Sequence, residues 1–332
     1  MNNVNVLLLS ERETESVGIA WPEAIATIEE VLRAHGSGRI VVPAKVNLDM
    51  DITGEFHSGG NAMPAFLDHL KISGIKWITW NWENSKHGLP SVLATIVLND
   101  PLTGAPLAIM GGAWITAVRT GAVSAVAFKY LGRRNSENLA VIGAGRQGMF
   151  QLEAMNEVMN IKEARVYDIR EQARENLAKE MSQKLNLKVR AMSSVKEAVD
   201  NADVVITVTT ANEPLVRAEY LKDKGTLMCS LGSYQEFDFI SIKRSDKIVV
   251  DHLEQTLHRG ELAKWVQKGM LTTGDIYADL GQIVSGKKPG RESEGENIFC
   301  VPIGMGCDDI AIAYKVWETA KSRKLGRTLS WL

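Results

Sequence analysis

Gly143, Gly145 and Gly148 form a G-x-G-x-x-G turn, and Asp168 follows the last glycine by twenty residues. The turn is preceded by an apolar run and followed by apolar residues at helical spacing. Such glycines permit a tight strand-to-helix bend and let the backbone approach a pyrophosphate, while the helix N-terminus offers N–H donors to phosphate. The acid lies where a ribose 2′-hydroxyl would be bound. The spacing therefore predicts a dinucleotide site, and a glycine turn without a ligand is the weaker alternative.

The identity of the dinucleotide depends on the loop that carries the acid. Asp168 favours NAD, because a carboxylate repels the 2′-phosphate of NADP. Arg170 favours NADP, because an arginine in this loop can pair with that phosphate, so NADP stays the alternative. Further cofactor contacts are expected in the turn and after two later strands, since ligands bind at the carboxyl ends of parallel strands. These residues are Gly143, Ala144, Gly145, Arg146, Gln147, Thr209 and Ser230.

Three cations in the N-terminal half interrupt apolar segments. They are Lys45, Lys76 and Arg119. An unpaired buried charge is costly, so each needs a carboxylate from the protein or from a ligand. For any one of them a structural ion pair or a snorkelling side chain is an equal alternative. Together they predict an anion site.

The whole chain has the composition of an ordinary globular protein. It has 332 residues, 45% hydrophobic and 23% charged, which is enough for two domains. The net charge of -2 argues against a nucleic-acid partner. The apolar segment 4–9 is too short to span a membrane, so a cytoplasmic protein is expected. The three cysteines are expected to be reduced core thiols, and the histidine spacing predicts no metal site.

Strand and helix patterns alternate after residue 138. This alternation predicts a Rossmann-type, doubly wound parallel sheet with strands at 139–142, 165–167, 188–190, 204–207, 227–230 and 248–250. The earlier part predicts an α+β domain, with a helix over 22–35 and strands at 40–49, 74–81 and 91–98. A helix over 115–131 would join the two, and a last helix would return to the first domain. We therefore expect a substrate-binding and dimerisation domain over 1–130 with 306–332, and a dinucleotide domain over 131–305.

Short motifs throughout the chain resemble the ornithine cyclodeaminase and mu-crystallin family. The motifs are Met63-Pro64-Ala65, Gly74-Ile75-Lys76, Gly88-Leu89-Pro90, residues 102–108, residues 116–122, Gly143 to Gln147, Gly260-Glu261-Leu262 and Gly304 to Asp309. The resemblance implies an NAD(P)-dependent enzyme of amino acids and imines. It also implies a homodimer built through the N-terminal domains, with the substrate between that domain and the nicotinamide.

The resemblance assigns the site residue by residue, with three departures. Lys76 and Arg119 match the family residues that hold the substrate carboxylate and flank the amine, and Asp309 matches an aspartate near the nicotinamide. Lys45 replaces an arginine, so the bidentate fork is lost while the charge is kept. Tyr234 stands where cyclodeaminases have an aspartate, and Asn61 where ornithine-specific members have a glutamate. A neutral phenol does not offset a cationic amine as a carboxylate does.

These departures favour hydride exchange at a C–N bond over ornithine cyclisation. The expected reaction is reduction of an imine, or interconversion of an amino acid and its oxo acid, with Lys76 moving the proton. Its pKa is expected to be lowered by Arg119 and by a low-dielectric wall. Tyr234 either bonds the substrate nitrogen or fills space. The alternatives are an ornithine cyclodeaminase that releases ammonia and a binding protein without turnover.

A tryptophan cluster bears on the substrate. Trp80 and Trp82 are expected on the same strand face as Lys76, and Trp77 on the other. Core packing or a dimer contact is the plainer interpretation, because large aromatic side chains usually pack. The sharper hypothesis makes Trp80 an apolar wall beside the amine, which would favour a bulky or aromatic substrate.

Overall fold

The computed structural model describes residues 4–54 and 57–332 and divides into two compact units. The terminal unit comprises Met1–Arg119 and Met305–Leu332, and the middle unit comprises Thr120–Gly304. The division falls inside the helix that joins them, earlier than the boundary near residue 130 expected from the sequence. In the described ranges, no helix combines the length and hydropathy needed to cross a membrane.

The terminal unit contains an eight-stranded sheet in its described residues. Its central order is β16-β1-β7-β6-β5-β4-β2, with β3 also paired to β4, and all pairs except β1 with β7 are antiparallel. The strands are β1 (Asn5–Leu9), β2 (Ile40–Val41), β3 (Val46–Asp49), β4 (Ser58–Leu67), β5 (Ile72–Asn81), β6 (Val92–Asn99), β7 (Pro106–Gly111) and β16 (Arg327–Ser330).

Helices cover one face of this sheet. They are α1 (Glu11–Val17), α2 (Trp21–Gly36), the first turns of α3 (Ala113–Leu131), and α11 (Gly306–Arg323). Helix α11 packs on β4, β5, β6 and α2. Two glycines allow this close approach: a Cβ at Gly306 would lie 2.7 Å from the Met63 carbonyl oxygen, and one at Gly74 would lie 2.9 Å from Ile310. The last helix thus brings its N-terminal residues onto the central strands.

The middle unit is built on an eight-stranded parallel sheet, which confirms the predicted Rossmann-type fold. Its order is β10-β9-β8-β11-β12-β15-β13-β14. The strands are β8 (Asn138–Ile142), β9 (Glu163–Tyr167), β10 (Val189–Ala191), β11 (Val204–Thr207), β12 (Leu227–Ser230), β13 (Lys247–Val250), β14 (Ala278–Asp279) and β15 (Ile298–Val301). The helices are α4 (Arg146–Asn156), α5 (Glu171–Leu185), α6 (Val195–Val199), α7 (Phe239–Lys243), α8 (Leu253–His258), α9 (Ala263–Gln267) and α10 (Leu280–Val284).

The structure differs from the sequence predictions at three strands. The strand expected over 40–49 is two short strands, β2 and β3, because Pro43 cannot donate a ladder hydrogen bond. The ten-residue strand β4, paired along its length with β5, was not among the predicted strands. Strand β15 was also not predicted, and it inserts between β12 and β13.

Candidate functional site

Lys76 lies at the centre of the terminal unit. It is on β5, its side chain is completely buried, and its Nζ is 2.7 Å from Asp309 Oδ2. Nζ also donates a hydrogen bond to Thr116 Oγ1 at 3.3 Å. The carboxylate that this buried cation requires therefore comes from the protein, from the first turn of α11.

Arg119 reaches the same carboxylate from α3. Its Nε donates to Asp309 Oδ1 at 3.1 Å, so the two cations share one buried aspartate. Within the described part of the chain, Nε is the one Arg119 atom with a hydrogen-bond partner. The two terminal nitrogens of the guanidinium fork are left for a ligand, and this fork matches the geometry of a carboxylate.

Hydrogen bonds at the N-termini of α11 and α3 fix the helices that carry the two aspartates and Arg119. Asp308 Oδ2 accepts from the Met305 backbone N–H at 2.9 Å and closes the N-terminus of α11, which leaves Asp309 free to turn to the cations. Glu11 holds the start of α3 in the same way: it accepts from Ala113 N at 3.1 Å and Trp114 N at 2.6 Å. Of the two aspartates in the first turn of α11, Asp308 caps the helix and Asp309 bonds the cations.

The pKa of Lys76 is lowered to about 8. Burial is the largest cause, Asp309 opposes it by favouring the charged ammonium, and Arg119 lowers the pKa further by repulsion. A lysine with this pKa gives up or takes a proton near neutral pH, as an acid–base catalyst requires. The direction agrees with the sequence expectation, although Asp309 was not included in it.

Lys45, Asn61 and Trp80 are the other residues predicted to bind substrate. Asn61 is buried on β4, and the register β3–β4–β5 places it on the same sheet face as Lys76. Lys45 is half-buried and directly precedes β3. Trp80 is half-buried, and its ring lies where a Cβ of Gly59 would be, so that glycine makes room for the indole. The structure therefore places Asn61 and Trp80 on the face that carries Lys76, while Lys45 lies next to the start of β3.

The other two tryptophans lie elsewhere. Trp77 projects from the opposite sheet face, as predicted, and is 36% exposed. Trp82 was expected beside Lys76 but follows the end of β5, and it is 46% exposed. The alternation of a strand no longer applies once the strand has ended, so the expected position of Trp82 beside Lys76 stays a prediction.

The glycine turn of the middle unit has the geometry of a phosphate-binding loop. Gly143 adopts a φ of +116°, and a Cβ there would lie 2.9 Å from the Val208 carbonyl oxygen. Gly148 abuts the Gly143 carbonyl oxygen, and a Cβ on Gly145 would meet open space. The first and third glycines thus serve close packing, and the second leaves room for a ligand.

Asp168 follows β9 and faces this turn. Its carboxylate accepts from Ala144 N and from Arg170 N, each at 2.9 Å, and from Arg170 Nε at 3.3 Å. Burial alone would raise its pKa, but these N–H donors lower it. A cavity of about 550 Å³ opens here, lined by Gly143, Gly145, Asp168, Ile169, Arg170 and Thr209 among others. The residues present therefore fit a dinucleotide.

The remaining predicted residues of the middle unit occupy three kinds of position. Arg146 and Gln147 form the first turn of α4, the helix whose N-terminus follows the glycine turn. Ser230 ends β12 completely buried, and its hydroxyl donates to Glu261 at 2.9 Å. Tyr234 lies half-buried in the loop after β12, where burial raises its pKa against the influence of Arg259.

Sequence reasoning missed Thr116, Glu236 and Glu261. Thr116 accepts from Lys76 at 3.3 Å, and its place one helical turn before Arg119 was the available signal. Glu236 and Glu261 are completely buried beside the ends of β11 and β12. Acidic residues in loops usually face water, so residue type alone gave no sign of their burial, although Glu261 lies in one of the motifs that carry the family resemblance.

The chain is similar to known proteins of one family. The sequence model of the ornithine cyclodeaminase/mu-crystallin family matches residues 4–324. The chain is similar to the Δ1-pyrroline-2-carboxylate reductase of Thermococcus litoralis solved with NADH and L-proline (TM-score 0.92, 37% identity, 97% of this chain and 99% of the other). It is also similar to an archaeal alanine dehydrogenase dimer with bound NAD (0.92, 36%, 99% and 100%). A third similar structure is the iminosuccinate reductase of Paracoccus denitrificans with NAD⁺ (0.88, 26%, 98% and 99%).

Proposed function

Because the chain belongs to the ornithine cyclodeaminase/mu-crystallin family, we propose that it is an NAD-dependent oxidoreductase that reduces the C=N bond of an imine bearing a carboxylate. The reverse reaction, oxidation of the corresponding amino acid, uses the same residues. Relatives named as a pyrroline-2-carboxylate reductase, an alanine dehydrogenase and an iminosuccinate reductase support the reaction class. The shared Asp309 between Lys76 and Arg119 is the observation that carries the proposal for this chain.

The middle unit is the part of the chain that would hold the dinucleotide. When bound, NADH supplies the hydride that the imine carbon accepts. The backbone N–H groups of Gly145 and of the first turn of α4 would bind its pyrophosphate, while the Ala144 N–H orients Asp168, which would accept from a ribose hydroxyl. Asp168 also favours NAD over NADP, while Arg170, 70% exposed at its side chain, is the residue that could accommodate the 2′-phosphate.

Arg119 is proposed to bind the substrate carboxylate. Its Nε is fixed on Asp309, so the guanidinium plane is held while its two terminal nitrogens face a ligand. Lys45, with a compact ammonium, would add charge without a second fork. Binding of the carboxylate would fix the distance between the substrate C–N bond and Lys76. A fixed distance lowers the entropic part of the activation barrier.

Lys76 is proposed to move the proton. In reduction its ammonium gives one proton to the imine nitrogen while the carbon gains a hydride, so C=N becomes CH–NH and the lysine becomes a neutral amine. In oxidation the neutral amine takes that proton back. Asp309 and Thr116 hold Nζ in one place through 2.7 and 3.3 Å contacts, and water restores the proton balance after each turnover.

Matched imines test this assignment. We expect NADH oxidation with Δ1-pyrroline-2-carboxylate, and a kcat/KM at least about tenfold lower with 1-pyrroline, which lacks the carboxylate that Arg119 would bind. Pyruvate with ammonia tests a linear imine in the same assay. Equal rates with and without the carboxylate would contradict the role of Arg119. Proline formed from ornithine without net NADH change would support the cyclodeaminase instead, and absence of turnover with tight NADH binding would support a binding protein.

The open face of the terminal sheet is proposed to pair with a second copy of the chain. On the face opposite Lys76, the register aligns large exposed apolar side chains on neighbouring strands. They are Val46, Leu48, Trp77 and Leu93, with exposed fractions of 62, 47, 36 and 43%. A patch of this kind on a sheet is usually an interface. The similar archaeal alanine dehydrogenase is described as a dimer, which supports a second copy of the chain as the partner of this sheet face.

Light scattering of a charged variant tests the dimer. We expect Trp77→Lys to halve the particle mass, because burying an ammonium in an apolar interface is costly. Trp331→Lys is the matched control, since Trp331 is also exposed but follows β16 at the sheet edge. A monomeric wild-type protein, or a dimer that Trp77→Lys leaves intact, would contradict this interface.

A further inference from the structure

The sheet face that carries Lys76 has a buried part and a half-buried part. Lys76 pairs with Ile96 on β6, and both are 0% exposed. The next two paired rows on this face, toward the end of β5, are apolar and half-buried. They hold Ile78 with Ala94, and Trp80 with Val92. We call these four side chains the apolar shelf.

Helix α11 lies over the buried part of this face. Its first residue, Gly306, abuts the carbonyl oxygen of Met63, which pairs with Lys76. Further along the helix, Ile310 lies 2.9 Å from the place of a Cβ on Gly74. The helix therefore begins at the row of Lys76 and runs over the earlier rows, and the apolar shelf extends past its N-terminus in the other direction.

The indole of Trp80 lies across the neighbouring strand. Gly59 on β4 pairs with Trp80, and a Cβ built on this glycine would lie 2.8 Å from the indole Cε2. The ring therefore occupies the space that any other side chain at position 59 would need. A ring in this place lies along the sheet and widens the apolar shelf toward β4.

The two rows of the apolar shelf place no charge beside β5 at their paired positions. Strand β4 contributes the neutral Asn61 to the first row and Gly59 to the second. The second row continues to Asp49 on β3, which is exposed and accepts from Asp51 N at 2.9 Å. The strand on which the indole lies separates this acid from β5. A charged group on the shelf would lose water without gaining an ion pair, whereas an apolar group gains from burial.

The apolar shelf begins next to the cations proposed to bind the reacting part of the substrate. Along β5, Ile78 lies about 7 Å and Trp80 about 13 Å from Lys76, at the usual rise of a strand. A methyl group on the reacting carbon would end before the indole. A branched or aromatic side chain would cross the first row and contact the second.

We propose that the apolar shelf binds the side chain of the substrate and that Trp80 determines specificity there. The substrate class is a 2-imino acid with a bulky, uncharged, apolar side chain, branched or aromatic. Lys76 and Arg119 act on the part that all such substrates share, and the shelf ranks them by the apolar surface they bury. This inference rests on the proposed reduction of imines that bear a carboxylate.

Steady-state rates of the full chain with 2-oxo acids and ammonia, at saturating NADH, test the substrate class. The bulky apolar substrates are 4-methyl-2-oxopentanoate and phenylpyruvate, pyruvate carries a methyl group, and 2-oxoglutarate carries a second acid. We expect kcat/KM to be at least about tenfold higher for the two bulky substrates, since even one methylene in an apolar pocket gives about this discrimination. Equal or higher values for pyruvate or 2-oxoglutarate would overturn the inference.

Replacement of Trp80 tests its role in specificity. Trp80→Ala should lower kcat/KM for phenylpyruvate about tenfold and leave the value for pyruvate within about twofold, because the methyl group does not reach the indole. Trp331→Ala is the matched control, since this exposed tryptophan follows β16, and both values should equal those of the wild type. A loss of equal size for the two substrates would show that Trp80 supports the fold alone and would overturn its role.

A second variant keeps the test decisive if Trp80→Ala does not fold. Gly59→Ala displaces the indole from β4 onto the apolar shelf and should lower the ratio of the phenylpyruvate and pyruvate values about tenfold. An unchanged ratio in folded Gly59→Ala would contradict the position of the ring in the site. Absence of NADH oxidation with every carboxylate-bearing imine would instead refute the proposed function.

Discussion

A buried ammonium is stable only beside a carboxylate, and Lys76 combines that requirement with the needs of proton transfer. Asp309 supplies the opposing charge at 2.7 Å, while complete burial lowers the pKa of the lysine to about 8. The same carboxylate orients Arg119 through Nε. One aspartate thus controls both the acid–base group and the group proposed to bind the substrate.

Replacement of Lys76 by methionine removes the proton donor and keeps most of the apolar stem. We expect the kcat of imine reduction to fall about 10³-fold, which is typical for loss of a general acid. NADH affinity should stay within a few-fold, because the dinucleotide residues belong to the middle unit. Steady-state rates and a fluorescence titration measure the two quantities, and substantial activity in this variant would exclude Lys76 from the mechanism.

The pH dependence of imine reduction should report the same lysine. The protonated form is the acid, and its pKa is lowered to about 8 by burial, so kcat/KM for the imine should fall as pH rises through about 8. The oxidation of the amino acid needs the neutral amine and should rise over the same interval. Both profiles are measured at saturating NADH or NAD⁺, so that cofactor affinity does not contribute. Parallel profiles in the two directions would contradict this role.

Much of the candidate site could be predicted from the sequence, because its residues either differ in polarity from their neighbours or follow a recognised spacing. Lys76 and Arg119 interrupt apolar segments, and the glycine turn with Asp168 has a fixed spacing. Their meeting on Asp309 could not be predicted from spacing, since Arg119 and Asp309 are 190 positions apart. The buried pair Glu236 and Glu261 was hidden for a different reason: only tertiary packing removes loop acids from water.

At the scale of elements, the predictable parts were those with a strong local period. Strand β11 and strand β12 were predicted at their observed bounds, because continuous β-branched and apolar runs mark buried parallel strands. Strand β4 was missed because two glycines and a proline lower its intrinsic preference. Its ten-residue pairing with β5 overrides that preference. The strand therefore forms because of its pairing with β5, and this pairing is not visible in the sequence of β4 alone.

Helix α3 depends on a cap from a distant part of the chain. Glu11 accepts from the first two N–H groups of the helix that carries Thr116 and Arg119. We expect Glu11→Ala to lower the free energy of unfolding by about 1 kcal/mol through loss of the cap. It should also lower kcat/KM several-fold, because the arginine is held less firmly.

Glu23→Ala is the control for this cap, since Glu23 is an exposed acid in the first turn of α2. Thermal unfolding and steady-state rates should both remain close to the wild type in the control. An unchanged kcat/KM in Glu11→Ala, despite lower stability, would show that the cap supports the fold without positioning Arg119.

For the whole molecule, we expect the stability of the middle unit at low pH to depend on one buried carboxylate, that of Asp203. Asp203 bonds Arg133 and Lys222, and it accepts from Glu137 N at 2.8 Å and Asn138 N at 3.0 Å. Burial alone would raise its pKa, but these donors lower it to about 2. A lowered pKa gives stability that is present above the ordinary value of 3.8 and lost as pH falls through about 2.

Urea unfolding of Asp203→Asn measures this contribution. The variant should be less stable than the wild type near neutral pH, and the difference should shrink by roughly 2 kcal/mol as pH falls to about 2. Asp223→Asn is the control, because the contact of Asp223 with Asn297 is made by its backbone and is kept in the variant. Asp279→Asn is less suitable, because the Asp279 side chain caps α10. A difference that does not change with pH would show that Asp203 acts through shape alone.

The terminal unit is assembled from both ends of the polypeptide, and this has a consequence for synthesis on the ribosome. Residues 120–304 emerge as one continuous stretch and can fold while translation continues. Lys76 and Arg119 emerge early, yet they have no Asp309 until the last helix has left the exit tunnel. The nascent protein therefore holds these two cations without their carboxylate through the synthesis of residues 120–304, and the cluster of Lys76, Arg119 and Asp309 can close only after α11 has emerged.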